Sequence, residues 1–155
     1  MRYLSLLVAF SLGLPGIALG SETLIVSHGA TPQPVYLDLG EVGDSVGDQR
    51  IFSFEGESAD GATVAMEWVL TTTAKGENDV DTRMTEAVFV FSGEKAGSLL
   101  VSGVGSYPKQ GSTVEVDSML ERAVIGGTGW FAAARGTLVS THLPDNTWTH
   151  EFILR

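Results

Sequence analysis

Five side chains need a chemical explanation if they point into a protein interior: Trp68, Glu86, Arg122, His142 and His150. Two-residue alternation puts each of them on an even-numbered row, together with Met66, Leu70, Trp148, Phe152 and Leu154. An ionised Glu or Arg in an apolar interior is costly unless it is paired, hydrated or used on a ligand. The alternation therefore makes Glu86, Arg122 and His142 candidate catalytic groups, with Glu86 and Arg122 expected to face each other across the interior. It makes Trp68, Ser140, Trp148, His150 and Phe152 candidate ligand contacts. Taken singly, His28, His142 and His150 read as structural residues, because they lack metal-ligand spacing. The chain has no Cys and no G-x-S-x-G elbow, so neither a metal centre nor a hydrolase is expected.

The elements that must hold these residues are strands. From Thr23 onward, β-branched and aromatic residues recur in short runs separated by Gly, Pro, Asn and Asp, and no stretch keeps the i, i+3, i+4 spacing of a helix. Strands are expected at 22–28, 46–56, 62–73, 82–92, 98–105, 117–126, 130–141 and 147–154. Eight antiparallel strands close most simply into an up-and-down barrel, lipocalin-like in shape, which leaves no exposed edge. The even row of the fourth strand holds Met84, Glu86, Val88 and Val90. Phe89 and Phe91 are then expected to face outward, as a subunit interface would. Two acidic loops, one with Asp38, Glu41, Asp44 and Asp48 and one with Asn78, Asp79 and Asp81, lack EF-hand spacing and read as solvated charge.

Gly126, Gly127, Gly129 and Gly136 read as structural turn residues, the first three supplying positive φ in a tight turn between strands. A G-x-G-x-x-A match within this run is no nucleotide fingerprint, since no helix follows it. The run Ala123-Val124-Ile125-Gly126-Gly127-Thr128-Gly129-Trp130-Phe131-Ala132-Ala133-Ala134-Arg135-Gly136 resembles the Gly-rich signature of the dirigent proteins and, more loosely, the allene oxide cyclases. Gly43-Asp44-Ser45-Val46-Gly47-Asp48 similarly resembles the Gly-Asp entry to the cyclases' second strand. The resemblance implies an eight-stranded antiparallel barrel, often trimeric, with an elongated apolar cavity and no cofactor. It departs at the families' own site residues. Ile25 stands where the cyclases carry an acid and Leu120 where the dirigents carry an Arg, while Glu121 matches the dirigents' next, acidic, position.

The first residues set the compartment. Met1-Arg2, an apolar run over 4–14 and Ala18-Leu19-Gly20 have the order of a signal peptide removed before Ser21. Pro15-Gly16 shortens the run below what a membrane anchor needs. One secreted or periplasmic domain, 21–155, is expected. With 9 Lys+Arg against 19 Asp+Glu, a net charge of −10 repels phosphate backbones and excludes nucleic acid as a partner. The expected partner is a small apolar molecule, with a possible homotrimer by resemblance. A cofactor-free isomerase or cyclase, a non-catalytic dirigent-like binder and a purely structural barrel remain the three functional readings.

Overall fold

Alternating β-branched and aromatic residues favour extended chain, and the turn residues between them decide where each strand stops. The computed structural model describes residues 22–77, 80–108, 111 and 113–155. It contains nine strands: β1 Glu22–His28, β2 Val35–Leu37, β3 Gln49–Ser58, β4 Thr63–Lys75, β5 Val80–Phe91, β6 Gly97–Pro108, β7 Met119–Gly129, β8 Gly136–His142 and β9 Trp148–Leu154. Each strand from β3 to β9 pairs with the next, and β9 pairs with β1. Val26 opposite Ser58 and Ser27 opposite Glu57 then join β1 to β3 and close an eight-stranded antiparallel barrel. The short β2 extends the edge of β3 at Gln49, Arg50 and Ile51, where β1 no longer reaches. It was expected to be loop. The expected signal peptide lies outside the described residues.

Two β-bulges decide which residues face inward. Even-numbered residues of β4 point in as far as Thr72, but Thr73 is an extra residue, so that Thr72 pairs with Arg83 while Ala74 pairs with Thr82. A bulge moves the rest of the strand to the opposite face. Inward residues on β5 and β6 are therefore odd-numbered: Asp81, Arg83, Thr85, Ala87, Phe89 and Phe91, then Leu99, Val101 and Tyr107. A second extra residue, Ile125, restores even parity to β7, β8 and β9, with Val101 opposite Val124. Glu86 consequently lies exposed on the outer surface, and the expected contact with Arg122 does not exist. Phe89 and Phe91 are core residues at 0% and 5% exposure, not an outward interface.

The interior is graded along the barrel axis. At the end holding the β3–β4, β5–β6 and β7–β8 connections, Val64, Met66, Phe89, Phe91, Leu99, Phe131 and Phe152 form an apolar plug. Phe89 meets Phe152 edge-on at 4.8 Å and Phe91 packs on Phe131 at 4.7 Å. Polar residues gather at the other end. There the connection into β3 is pinned by Asp48, which is fully buried and accepts hydrogen bonds from Tyr36 Oη, Leu39 N, Ser45 N and Ser45 Oγ. Asp48 and Asp81 are thus buried structural carboxylates rather than solvated loop charges, whereas Asn78 and Asp79 lie outside the described residues.

The Gly-rich run is also placed differently from expectation. Gly126 and Gly127 are strand residues, and of the expected turn glycines before residue 130 only Gly129 takes positive φ, +58°. The turn itself occupies 130–135 and uses Ala133 at φ 65°. Gly136 starts β8, backed against the Ile153 carbonyl of β9.

Candidate functional site

Register across β8, β9 and β1 builds the site in rows. His142, Trp148 and His28 form the outermost inward row, Ser140, His150 and Val26 the next, and Leu138, Phe152 and Leu24 the one below. His142 stacks on Trp148 at 4.3 Å with rings 8° apart, and His28 lies nearly parallel to Trp148 on the other side at 6.1 Å. Flat rings on neighbouring strands make a rigid wall.

Hydrogen bonds fix the tautomers of two histidines. The Nδ1 of His28 lies 2.6 Å from the Gly29 carbonyl, which can only accept, so Nδ1 carries the proton and Nε2 of the neutral ring is a lone pair. His150 Nε2, 3.1 Å away, must then donate to it. That leaves His150 Nδ1 as an acceptor for the Ser140 hydroxyl at 2.9 Å. Arg122 donates to Ser140 Oγ through Nη1 at 3.2 Å and to Tyr107 Oη through Nη2 at 2.6 Å, and Tyr107 Oη reaches Thr85 Oγ1 at 3.2 Å. The result is one directed chain from Arg122 through Ser140 and His150 to His28.

Beside this chain lies a cavity of about 50 Å³ lined by Phe52, Phe54, Trp68, Leu70, Leu120 and Val114 together with Arg122, Ser140, Trp148 and both histidines. One water occupies ~10–15 Å³ on this measure, so the space takes about three to five water-sized groups. Trp68 Nε1 is buried with no partner among the described residues, and the Arg122 guanidinium sits over the Trp68 ring at 5.3 Å. A buried N–H without an acceptor is uncommon and costs about 1–3 kcal/mol, which marks this spot as one built for something to arrive.

Burial lowers the basicity of both histidines. His150 is held well below the usual imidazole range by desolvation first, then by its coulombic interactions with His28 and Arg122. His28 is lowered by desolvation, opposed by its bond to Gly29 and reinforced by His142. A lowered folded-state pKa means that the unfolded chain binds protons more readily, so this stability is complete above about pH 6.5 and is lost as pH falls through the folded values. Chemical melts between pH 8 and 5 are expected to show a decline starting near pH 6.5, with a slope approaching about 1.4 kcal/mol per pH unit for each proton taken up. His150→Asn should flatten it. An unchanged slope in that variant would show that the ring is not held neutral.

The structure brings Arg122, His150, Trp68, Ser140 and Trp148 to one cavity. It does not bring Glu86 there. His142 stands behind Trp148, with Nδ1 on the Val114 carbonyl at 2.9 Å and Nε2 on Asn146 at 2.8 Å. Phe152 lies in the apolar plug. Sequence reasoning passed over His28 as a site residue, although it ends the even row of β1. It missed Tyr107 and Thr85, which the bulge at Thr73 turns inward. A second polar group at the same end joins Lys75 to Asp44 and Asp81, Arg50 to Asp44 at 3.4 Å, and Arg83 to the carbonyls of Pro108 and Gly111. Among the described residues no group of three or more His, Asp or Glu side chains is placed to hold a metal ion.

No family model matches the chain, and no curated protein matches it. Solved structures do. A chain titled "Pyocyanin demethylase" aligns with TM-score 0.57 and 22% identity over 88% of this chain and 100% of its own. At that identity the likeness is one of barrel fold.

Proposed function

We propose that this barrel is a cofactor-free isomerase or cyclase of the secreted or periplasmic space that takes a small, largely apolar, reactive molecule into the cavity and moves a proton within it. The observation that carries the reading is the neutral His150–His28 pair, coupled through Ser140 to a cavity that also presents the unpartnered Trp68 N–H. As a substrate proton reaches Ser140 Oγ, the hydroxyl's own proton passes to His150 Nδ1, and the bond from His150 to His28 becomes charge-assisted. Return of the proton to another atom of the same substrate completes an isomerisation without a cofactor. Trp68 Nε1 and Arg122 are placed to stabilise an oxygen that gains charge meanwhile. The apolar walls Phe52, Phe54 and Leu70 hold the rest of the molecule. Resemblance of 123–136 to the allene oxide cyclases and dirigent proteins supports the same class, and suggests a homotrimer that sedimentation can measure.

A specific observation favours a second reading, a binding or dirigent-like module. Ser140 Oγ and both ring nitrogens of His150 and His28 already have protein partners, so none waits as a free base.

The experiment is to identify, by mass spectrometry, molecules retained by the purified protein and return them to it in D2O. Pyocyanin belongs in the same panel, because a similar barrel is named for acting on it. Deuterium fixed on carbon by the wild type but not by His150→Asn supports the isomerase. Ligand retained and returned unlabelled selects the binder. Retention of nothing, and binding of nothing offered, overturns both.

A further inference from the structure

Arg122 is, among the described residues, the one formally charged side chain lining the cavity, at 7% exposure, and no Asp or Glu lines the cavity with it. Among the described residues, no carboxylate comes within ion-pair distance of its guanidinium; the ion pairs involve Arg50, Lys75, Arg83 and Lys95 instead. Its two hydrogen-bond acceptors, Ser140 Oγ and Tyr107 Oη, are neutral hydroxyls, so its charge is unbalanced. An unpaired buried charge is among the most expensive groups a fold can hold, and both Glu86, its expected partner, and Glu121, its neighbour on β7, are exposed on the outer surface. Beside Arg122, Trp68 Nε1 is a buried donor without an acceptor among the described residues.

From this unbalanced charge and the unpartnered indole N–H beside it we infer that the cavity recognises an organic anion, a compact carboxylate whose oxygens pair with Arg122 and accept from Trp68 Nε1. The inference rests on the reading of this cavity as a ligand site and names the chemistry of its occupant. A carboxylate has two oxygens and several lone pairs, enough to meet both donors at once. About three to five water-sized groups of space fit a carboxylate with a short apolar tail toward Phe52, Phe54 and Leu70. Binding also bears on the chemistry: the Arg122 charge opposes protonation of His150, and an anion beside it removes that opposition. The charged head is thus both the handle and the switch that readies the histidine pair.

The test is a calorimetric and NMR titration at pH 8 in buffer without small anions, using propionate against the isosteric neutral propionamide. Propionate is expected to bind at least about tenfold more tightly, a difference of about 1.4 kcal/mol. Arg122→Gln should abolish that preference and Arg122→Lys should keep part of it. Trp68→Phe, which leaves the charge in place, should weaken propionate several-fold, and it provides an independent result if the Arg122 variants fold poorly. Equal affinity for the amide, or an undiminished preference in Arg122→Gln, overturns the anion while leaving the cavity as a ligand site. Chloride matching propionate would reassign the position to an inorganic ion and overturn the organic class. Failure of both propionate and propionamide to bind removes the ligand site itself.

Discussion

Asp48→Ala is expected to destabilise the protein by about 3 kcal/mol, because one buried carboxylate answers four donors at once. Tyr36 Oη and Ser45 N approach it at 2.6 Å, Leu39 N at 2.9 Å and Ser45 Oγ at 3.1 Å. These bonds fold the connection between β2 and β3 back onto the start of β3, so their loss frees that segment. Burial alone pushes the Asp48 carboxyl up, but the bonds from Tyr36, Ser45 and Leu39 outweigh it and hold the pKa at about 2. A depressed folded value means stability that is complete above the unfolded carboxyl pKa, near 3.9, and lost as pH falls toward about 2. Urea melts at pH 7 measure the first effect. Repeating them between pH 4.5 and 2.5 should show a slope that Asp48→Ala lacks; equal midpoints for the variant and wild type at pH 7 would show that water replaces the carboxylate without cost.

Gly127→Val is expected to cost about 3 kcal/mol or more. The reason is not backbone conformation, since Gly127 is an ordinary strand residue without positive φ. A Cβ there would run into the Phe131 carbonyl, and would come within 2.7 Å of the Ser98 carbonyl and 2.8 Å of Phe131 Cβ. The turn at 130–135 folds directly over this glycine, and backbone on both sides cannot give way as a flexible side chain would. Gly126→Ala is the control, because a Cβ at 126 meets only the tip of Arg135 at 3.7 Å. Differential scanning of the two variants decides the matter. Equal losses at 126 and 127 would mean that strand propensity, not close approach, explains both.

Arg122→Met is a smaller effect of opposite sign. It removes an unbalanced charge while leaving Ser140 bonded to His150 and Tyr107 to Thr85, so stability should be unchanged or rise by about 1 kcal/mol while ligand binding falls, the usual trade at a site. A large loss in the same melt would show that the guanidinium supports the fold.

Much of the barrel was legible because period-two alternation survives wherever strands pair without interruption. Glu22–His28 was read to the residue, and Trp68, Arg122, Ser140, Trp148 and His150 share the interior because β4, β7, β8 and β9 all keep even residues inward. What failed turns on single extra residues. Thr73 carries no sequence mark of a bulge, being one of three consecutive threonines, yet it reverses the faces of β5 and β6. That reversal moved Glu86 out, brought Phe89 in, and hid Tyr107 and Thr85 from a site reading based on one parity. Asp48 was misread for a different reason. An acidic loop looks solvated in sequence, and only the fold shows one of its carboxylates inside a ring of donors. The lone positive charge of Arg122 became visible only once its expected partner was found on the far side of the wall.

The central claim is that the barrel interior beneath Trp148 receives a ligand. The indole N–H signals of Trp68, Trp130 and Trp148 report on it directly, because Trp130 is 60% exposed and on the outside while Trp68 and Trp148 line the cavity. With Trp68 assigned by its loss in Trp68→Phe, titration with propionate and propionamide is predicted to move the Trp68 signal downfield as Nε1 gains an acceptor, and to leave Trp130 unmoved. A Trp68 signal that stays fixed at saturating concentrations of both compounds would contradict the account.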